Sequence, residues 1–138
     1  MLTRRSRARE IALQMLYERD QNSQASRTAS ATFARDRLKD ASLIVFALTL
    51  YDGVVAHRTE IDSRLAAAAD NWRLARMAVV DRNVLRMGAF ELLFTPDTPA
   101  HVAFDEAIEL ARRYGSANSP AFVNGVLDKL RQTAAVTA

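Results

Sequence analysis

Four arginines fall within six residues near the start of the chain, and their type and spacing favour a chemical role. They are Arg4, Arg5, Arg7 and Arg9. Guanidinium groups at this density are suited to tracking a phosphate backbone. The net charge of the chain is +3. The excess lies entirely in the first ten residues, because basic and acidic side chains balance in the rest. The pattern indicates a phosphate-binding segment, although a solvated, frayed terminus would carry the same charges.

Two aromatic residues lie at the edges of predicted apolar helix faces. Tyr17 points away from the apolar stripe of the first predicted helix, and Phe122 lies roughly 100° from the main stripe of the last one. An aromatic ring in such a position can stack on an unpaired base, as recognition of single-stranded RNA commonly requires. The alternative is that both rings complete the rim of a hydrophobic core.

Two further arginines lie on a helix that is otherwise apolar. Arg82 and Arg86 are one helical turn apart and repel each other, so each needs a carboxylate or a phosphate as a partner. Pairing with Glu91 or Asp128 elsewhere in a bundle would satisfy this need, and so would contact with RNA.

No set of residues predicts catalysis or metal binding. The sequence has no cysteine, and its two histidines, His57 and His101, are far apart. It contains no glycine-rich phosphate loop and no nucleophile-elbow pattern. Asp105, Glu106 and Glu109 lie on one predicted helix, where their spacing is typical of a solvated face paired with arginines. We therefore expect no enzymatic activity, no cofactor and no metal.

Composition and hydropathy are those of a globular protein. The chain has 138 residues, of which 49% are hydrophobic and 25% are charged, enough for one buried core. The longest apolar run, residues 43–51, is far shorter than the roughly 20 residues that a membrane span needs. Charged residues also interrupt the region in which a signal peptide would be apolar. We expect a soluble, cytoplasmic protein with one domain over residues 1–138.

Helical periodicity dominates the sequence, and no proline precedes Pro96. In the first half, the apolar pattern predicts a helix over about residues 5–19. A loop is expected over residues 22–31, which lack large apolar side chains. A second helical region is predicted over about residues 32–69, with a bend or break near Gly53.

In the second half, residues 80–94 predict a central helix that is buried on most sides. Gly88 would let another helix approach it closely. A further helix is predicted over about residues 100–114, and a last one from Ser119-Pro120 to about Arg131. The fold is therefore predicted to be an all-α bundle of six or seven helices.

Four segments of the chain resemble the NusB family of bacterial transcription factors. They are residues 5–17, 80–93, 102–111 and 122–128. The strings Glu-Ala-Ile-Glu-Leu-Ala and Phe-Val-Asn-Gly-Val-Leu-Asp, in that order and separation, are the most specific part of the resemblance. Between residues 22 and 70 only the helical pattern is similar.

The resemblance implies an all-helical protein without catalysis, in which an N-terminal part (about 1–70) packs against a C-terminal part (about 71–138). Members of this family bind the boxA element of nascent RNA together with a small-subunit ribosomal protein, called NusE in this role. With other Nus factors and RNA polymerase they suppress termination, notably in ribosomal RNA operons, and some members form homodimers. Two alternatives are a NusB-like accessory domain of an rRNA-modifying system and a protein-interaction bundle whose arginines bind an acidic partner.

The patterns and the resemblance together predict two surfaces. The predicted RNA-binding residues are Arg4, Arg5, Arg7, Arg9, Tyr17, Arg86, His101, Asn118 and Phe122. The predicted partner-binding residues, which would face the ribosomal protein, are Trp72, Asp81 and Arg82. Asn118 stands where the family often carries an acidic residue, and His101 stands where a lysine or arginine is common.

Overall fold

The computed structural model describes the backbone of residues 4–22, 24–70 and 72–137, and the side chains of these residues as far as residue 134. Within these ranges the chain forms seven α-helices, one short 3-10 helix and no strand, which confirms the predicted all-α fold. The α-helices are α1 (Arg4–Gln21), α2 (Arg27–Leu38), α3 (Ala41–Ala56), α4 (Arg58–Ala68), α5 (Val79–Phe94), α6 (Ala100–Tyr114) and α7 (Ser119–Thr137). The 3-10 helix, η1 (Leu74–Arg76), lies between α4 and α5.

The central helix is α5, as predicted. Residues 83–91 are all buried, and α5 packs against α1, α3, α4, α6 and α7. At Gly88 a Cβ atom would lie 2.8 Å from a methyl carbon of Leu127 and 3.5 Å from the Cβ of Ala107. The close helix approach predicted for Gly88 is therefore confirmed. One hydrophobic core includes residues from all seven α-helices, and this shared packing positions the helix ends relative to one another.

The predicted loop over residues 22–31 is wrong in its second half, because α2 begins at Arg27. Ser26 caps this helix, since its hydroxyl accepts a hydrogen bond of 3.0 Å from the amide of Ala29. The buried residues of α2 are small, namely Ser30, Ala31 and Ala34. The lack of large apolar side chains thus reflects close packing of α2 against α1 and α3.

The predicted helical region 32–69 is divided at two places, and neither is Gly53. Helix α2 ends at Lys39, whose φ of 61° is left-handed, and the carboxylate of Asp40 caps α3. Helices α3 and α4 meet at His57 at an angle of 76°. Among the described residues, no single helix has the length and apolar character of a membrane span; α3 and α4 reach both only as this bent pair.

Gly53 stays inside α3 because it makes room for an aromatic ring of the central helix. A Cβ atom at this position would lie 2.1–2.7 Å from atoms of the Phe90 ring. The glycine therefore serves the packing of α3 against α5, and the bend lies one turn later, where His57 stacks on Phe94 with a centroid distance of 4.1 Å.

Candidate nucleic-acid interface

The first turns of α1 present three of the four clustered arginines to solvent. Arg4 is exposed and pairs with Asp40 at the start of α3. The guanidinium of Arg5 lies over the ring of Phe46, 4.6 Å from its centroid, and no carboxylate among the described residues pairs with it. Arg7 is half-exposed. These side chains keep positive charge where a phosphate can reach it.

Arg9, also predicted to contact RNA, has a different environment, because its side chain lies in the interior. Its side chain is 3% exposed and donates two hydrogen bonds of 2.8 Å to the carboxylate of Glu91. A carboxylate oxygen of Glu106 lies 3.4 Å from it. Burial alone would lower the pKa of Arg9, but the hydrogen bond to Glu91 and the charges of Glu91 and Glu106 raise it. Arg9 therefore stays charged and fastens α1 to α5 and α6.

Glu10 is a buried carboxylate that accepts hydrogen bonds from three side chains. The donors are Arg7 at 3.1 Å, Arg113 at 3.0 Å and the hydroxyl of Tyr114 at 2.9 Å. Burial and the contact with Glu10 raise the pKa of Tyr114, so its hydroxyl remains a donor. This cluster joins the second turn of α1 to the end of α6. In the sequence Glu10 appears only as a charge that offsets the arginines, and nothing there indicates its partners.

Arg86, another residue predicted to contact RNA, also lies in the interior. Its side chain is 5% exposed and makes two hydrogen bonds, of 2.8 and 3.0 Å, to the carboxylate of Asp62 on α4. Asp20, at the end of α1, lies 3.3 Å away. Asp62 and Asp20 are thus the carboxylate partners of Arg86, whereas the sequence suggested Glu91 or Asp128.

Arg82 shares Asp20 with Arg86. It donates to Asp20 at 2.8 Å and to the carbonyl oxygen of Leu74 in η1 at 3.0 Å. Burial alone would raise the pKa of Asp20, but hydrogen bonds from Arg82 and Asn83 and the charges of Arg82 and Arg86 lower it. Arg82 was predicted to contact a partner; the structure places it inside, where it holds η1 against the end of α1.

The segment after α4 and the beginning of α7 enclose a cleft of about 240 Å³. The rings of Trp72 and Phe122 meet edge to face at its wall, with centroids 5.4 Å apart. Asp81 contributes a carboxylate whose buried Oδ1 atom has no hydrogen-bond partner in the part of the chain that the structure describes, and Asn118 also lines the cleft. The structure thus brings together residues predicted for the partner surface and residues predicted for the RNA surface. This group is called the Trp72–Phe122 cleft below.

The other two predicted RNA-binding residues lie elsewhere. Tyr17 is exposed on α1, about 20 Å along the helix from Arg4. His101 is exposed in the first turn of α6, next to Val102, which lines a cleft of about 410 Å³ together with Arg5. In the described part of the chain, no three metal-ligating side chains come together.

Solved structures similar to this one include NusB proteins alone and in complexes. T. maritima NusB has a TM-score of 0.84 and 35% identity, covering 96% of this chain and 93% of that one. A chain in the crystal structure of antitermination factors NusB and NusE in complex with dsRNA has a TM-score of 0.86 and 28% identity. That match covers 96% of this chain and 99% of the other.

Curated relatives give the same result. The transcription antitermination protein NusB of Sorangium cellulosum is 46% identical over 93% of this chain and 91% of the relative. The NusB protein of Anaeromyxobacter dehalogenans is 48% identical over 94% of this chain and 92% of the relative. Both are named as transcription factors, which agrees with the prediction that the chain is not an enzyme. The family model described as the NusB family matches residues 6–132, and this chain belongs to the NusB family.

Proposed function

We propose that this protein is a transcription antitermination factor that binds single-stranded RNA of the boxA type together with the ribosomal protein NusE. In this proposal the complex joins other Nus factors and RNA polymerase and promotes transcription of ribosomal RNA operons. Support comes from the names of the curated relatives and from the likeness to a chain solved with NusE and RNA.

The observation that carries the proposal is the solvent-facing charge at the start of α1. Arg4, Arg5 and Arg7 lie on one end of the bundle, and Arg5 has its charge unmatched by any described carboxylate. An RNA strand that contacts these guanidinium groups would release counterions, which makes binding dependent on salt.

The remaining exposed residues extend this surface in the proposal. His101 is exposed at the start of α6, one residue before Val102, which lines a cleft with Arg5, and would contact a phosphate or sugar. Tyr17 and Phe122 offer rings on which bases can stack, and Asn118 offers an amide close to Phe122. Arg9 and Arg86 act only through the fold, because each is buried against carboxylates.

The partner surface is proposed to lie along η1 and the start of α5. Trp72 is 59% exposed, more than a ring of this size usually is in a monomer. Asp81 offers a carboxylate oxygen that has no hydrogen-bond partner among the described residues. A basic ribosomal protein would supply a donor to such a group, and Arg82 would hold the segment in place from inside.

The test is binding of a short boxA-type single-stranded RNA at two salt concentrations, with and without NusE, against a scrambled RNA of equal length. We expect tighter binding with NusE, preference for boxA, and weaker binding at the higher salt concentration. Arg64→Ala is the matched control, because Arg64 is a surface arginine on α4 that pairs with Glu60. Binding that is indifferent to both RNA sequence and NusE would contradict the proposal and leave only the shared fold.

A further inference from the structure

The end of α6 lies between the start of α1 and the Trp72–Phe122 cleft. On one side, Arg113 and Tyr114 donate to Glu10 in the second turn of α1. On the other side, Ser116, two residues after Tyr114, lines the cleft. The end of α6 therefore joins the two regions, and RNA that touches both has a path across it.

The partly exposed side chains at the end of α6, Arg113 and Tyr114, are hydrogen-bonded to one buried carboxylate, Glu10. Glu10 is 2% exposed, whereas Tyr114 is 41% exposed. A buried charge is stable only when it is paired and hydrogen-bonded, and here all three donors belong to partly exposed side chains. The tyrosine hydroxyl is thus fixed while the face of its ring remains accessible.

A fixed, accessible ring has the properties of a base-stacking platform. Stacking of bases on aromatic side chains is tolerant of sequence, and a ring that is already immobilised loses little freedom on binding. The charges around it also suit RNA. Three arginines, namely Arg7, Arg112 and Arg113, face two glutamates, Glu10 and Glu109, so the group keeps a net positive charge.

We propose that the ring of Tyr114 stacks on a base of single-stranded RNA, beside Arg113 on the RNA path, while Glu10 ties both side chains to α1. The inference rests on the proposed function and extends it: the RNA runs from Arg5 across the end of α6 to the Trp72–Phe122 cleft. A tyrosine whose only role is to tie α6 to α1 would act through its hydroxyl, whereas a stacking tyrosine acts through its ring.

Two variants of Tyr114 separate the ring from the hydroxyl. Tyr114→Phe removes only the bond to Glu10 and keeps the ring, and we expect its affinity for boxA-type RNA in the presence of NusE to stay within about twofold of the wild type. Tyr114→Leu removes the ring, and we expect affinity to fall about tenfold. The dependence of affinity on salt should be the same in both variants, because neither removes a charge. Thermal unfolding of each variant reports the loss of the hydroxyl bond.

A second measurement covers the case in which Tyr114→Leu does not fold. Trp72 is the only tryptophan in the sequence, so the double variant W72F/Y114W carries a single fluorophore at the crossing. We expect saturating RNA to quench its emission, as stacking on a base does. Equal RNA affinity for Tyr114→Phe, Tyr114→Leu and wild type, or unchanged emission at saturation, would overturn the inference. If Arg5→Ala still weakens RNA binding in that case, the proposed function survives; if the wild type itself binds no RNA, both fail.

Discussion

The two ends of α1 handle arginine in opposite ways. At its start, Arg4, Arg5 and Arg7 project towards solvent and are available to a ligand. At its end, the carboxylate of Asp20 draws Arg82 and Arg86 of the central helix inwards. The same residue type is therefore exposed in the first turn of the helix, on the surface proposed to bind RNA, and is part of the fold at the other end.

What separates the two groups is burial beside a carboxylate of a neighbouring helix, not the position of an arginine in a cluster; Arg4 also pairs with a carboxylate, but its side chain is 73% exposed. Arg5 and Arg9 are one turn apart and both lie over the ring of Phe46. Arg9 also pairs with Glu91 on α5 and is 3% exposed, whereas Arg5 has no carboxylate partner among the described residues and is exposed. The comparison predicts that losses of stability and losses of RNA affinity fall on different arginines.

The largest expected effect is on stability, from removing Arg9. Arg9→Ala leaves the carboxylate of Glu91 buried and unpaired, and we expect the free energy of unfolding to fall by about 3–5 kcal/mol. Arg5→Ala is the matched control one turn earlier and should cost less than about 0.5 kcal/mol, because its side chain is exposed. Urea unfolding of both variants checks this. Equal losses for the two would mean that the buried pair does not hold α1 to α5.

The next effect is expected at the other end of α1. Asp20→Asn removes the charge opposite Arg82, and we expect a loss of about 2 kcal/mol, less than for Arg9 because Arg86 keeps Asp62 as a partner.

This loss should depend on pH. The pKa of Asp20 in the folded protein is lowered below the ordinary value of 3.8. Its stabilising effect is therefore complete above that value and disappears as the pH falls through the lowered pKa. Unfolding free energies measured between neutral and acidic pH should show a shallower decline below pH 3.8 in Asp20→Asn than in the wild type. An unchanged decline would assign the acid sensitivity to another carboxylate.

The sequence predicts the second half of this fold better than the first. Helix α6 was predicted with its observed bounds, and α5 within one residue, because a strong apolar pattern lies between prolines and glycines there. The first half depends on weaker signals. The helix break at Lys39 lies at a residue with left-handed backbone geometry that is neither glycine nor asparagine. Gly53 looks like a helix break in the sequence, but its lack of a side chain makes room for the ring of Phe90 on α5.

The candidate nucleic-acid interface is likewise predicted only in part by the sequence. The charge cluster and the off-stripe aromatics could be found from residue types and helical spacing. The sequence could not show which arginines are buried, because Glu91 lies far from Arg9 in the sequence and the pairing depends on how α1 packs against α5. The cluster around Glu10 was missed for the same reason, since Arg113 and Tyr114 reach it only in the folded chain.

A smaller effect is expected at Arg5, which is exposed and has no carboxylate partner among the described residues. Arg5→Ala should lower the affinity for boxA-type RNA about fivefold at roughly 0.1 M salt. It should also reduce the slope of log affinity against log salt by about 0.7, the value for one phosphate contact on a single strand. Arg64→Ala on α4 is the control and should change neither quantity. An unchanged slope in Arg5→Ala would place the RNA path away from the start of α1.

The smallest expected effect concerns a position that has no charge. Asn118 lines the Trp72–Phe122 cleft, which already contains the carboxylate of Asp81. Asn118→Asp would add a second negative charge there, and repulsion of a phosphate at about 6 Å through water and salt amounts to roughly a twofold loss of RNA affinity. Because ions screen this repulsion, the difference between the two proteins should shrink as salt is raised, whereas removing Arg5 changes the slope through lost counterion release. Equal affinities across the salt titration would mean that the RNA does not pass Asn118. The surface would then be confined to the start of α1 and the end of α6.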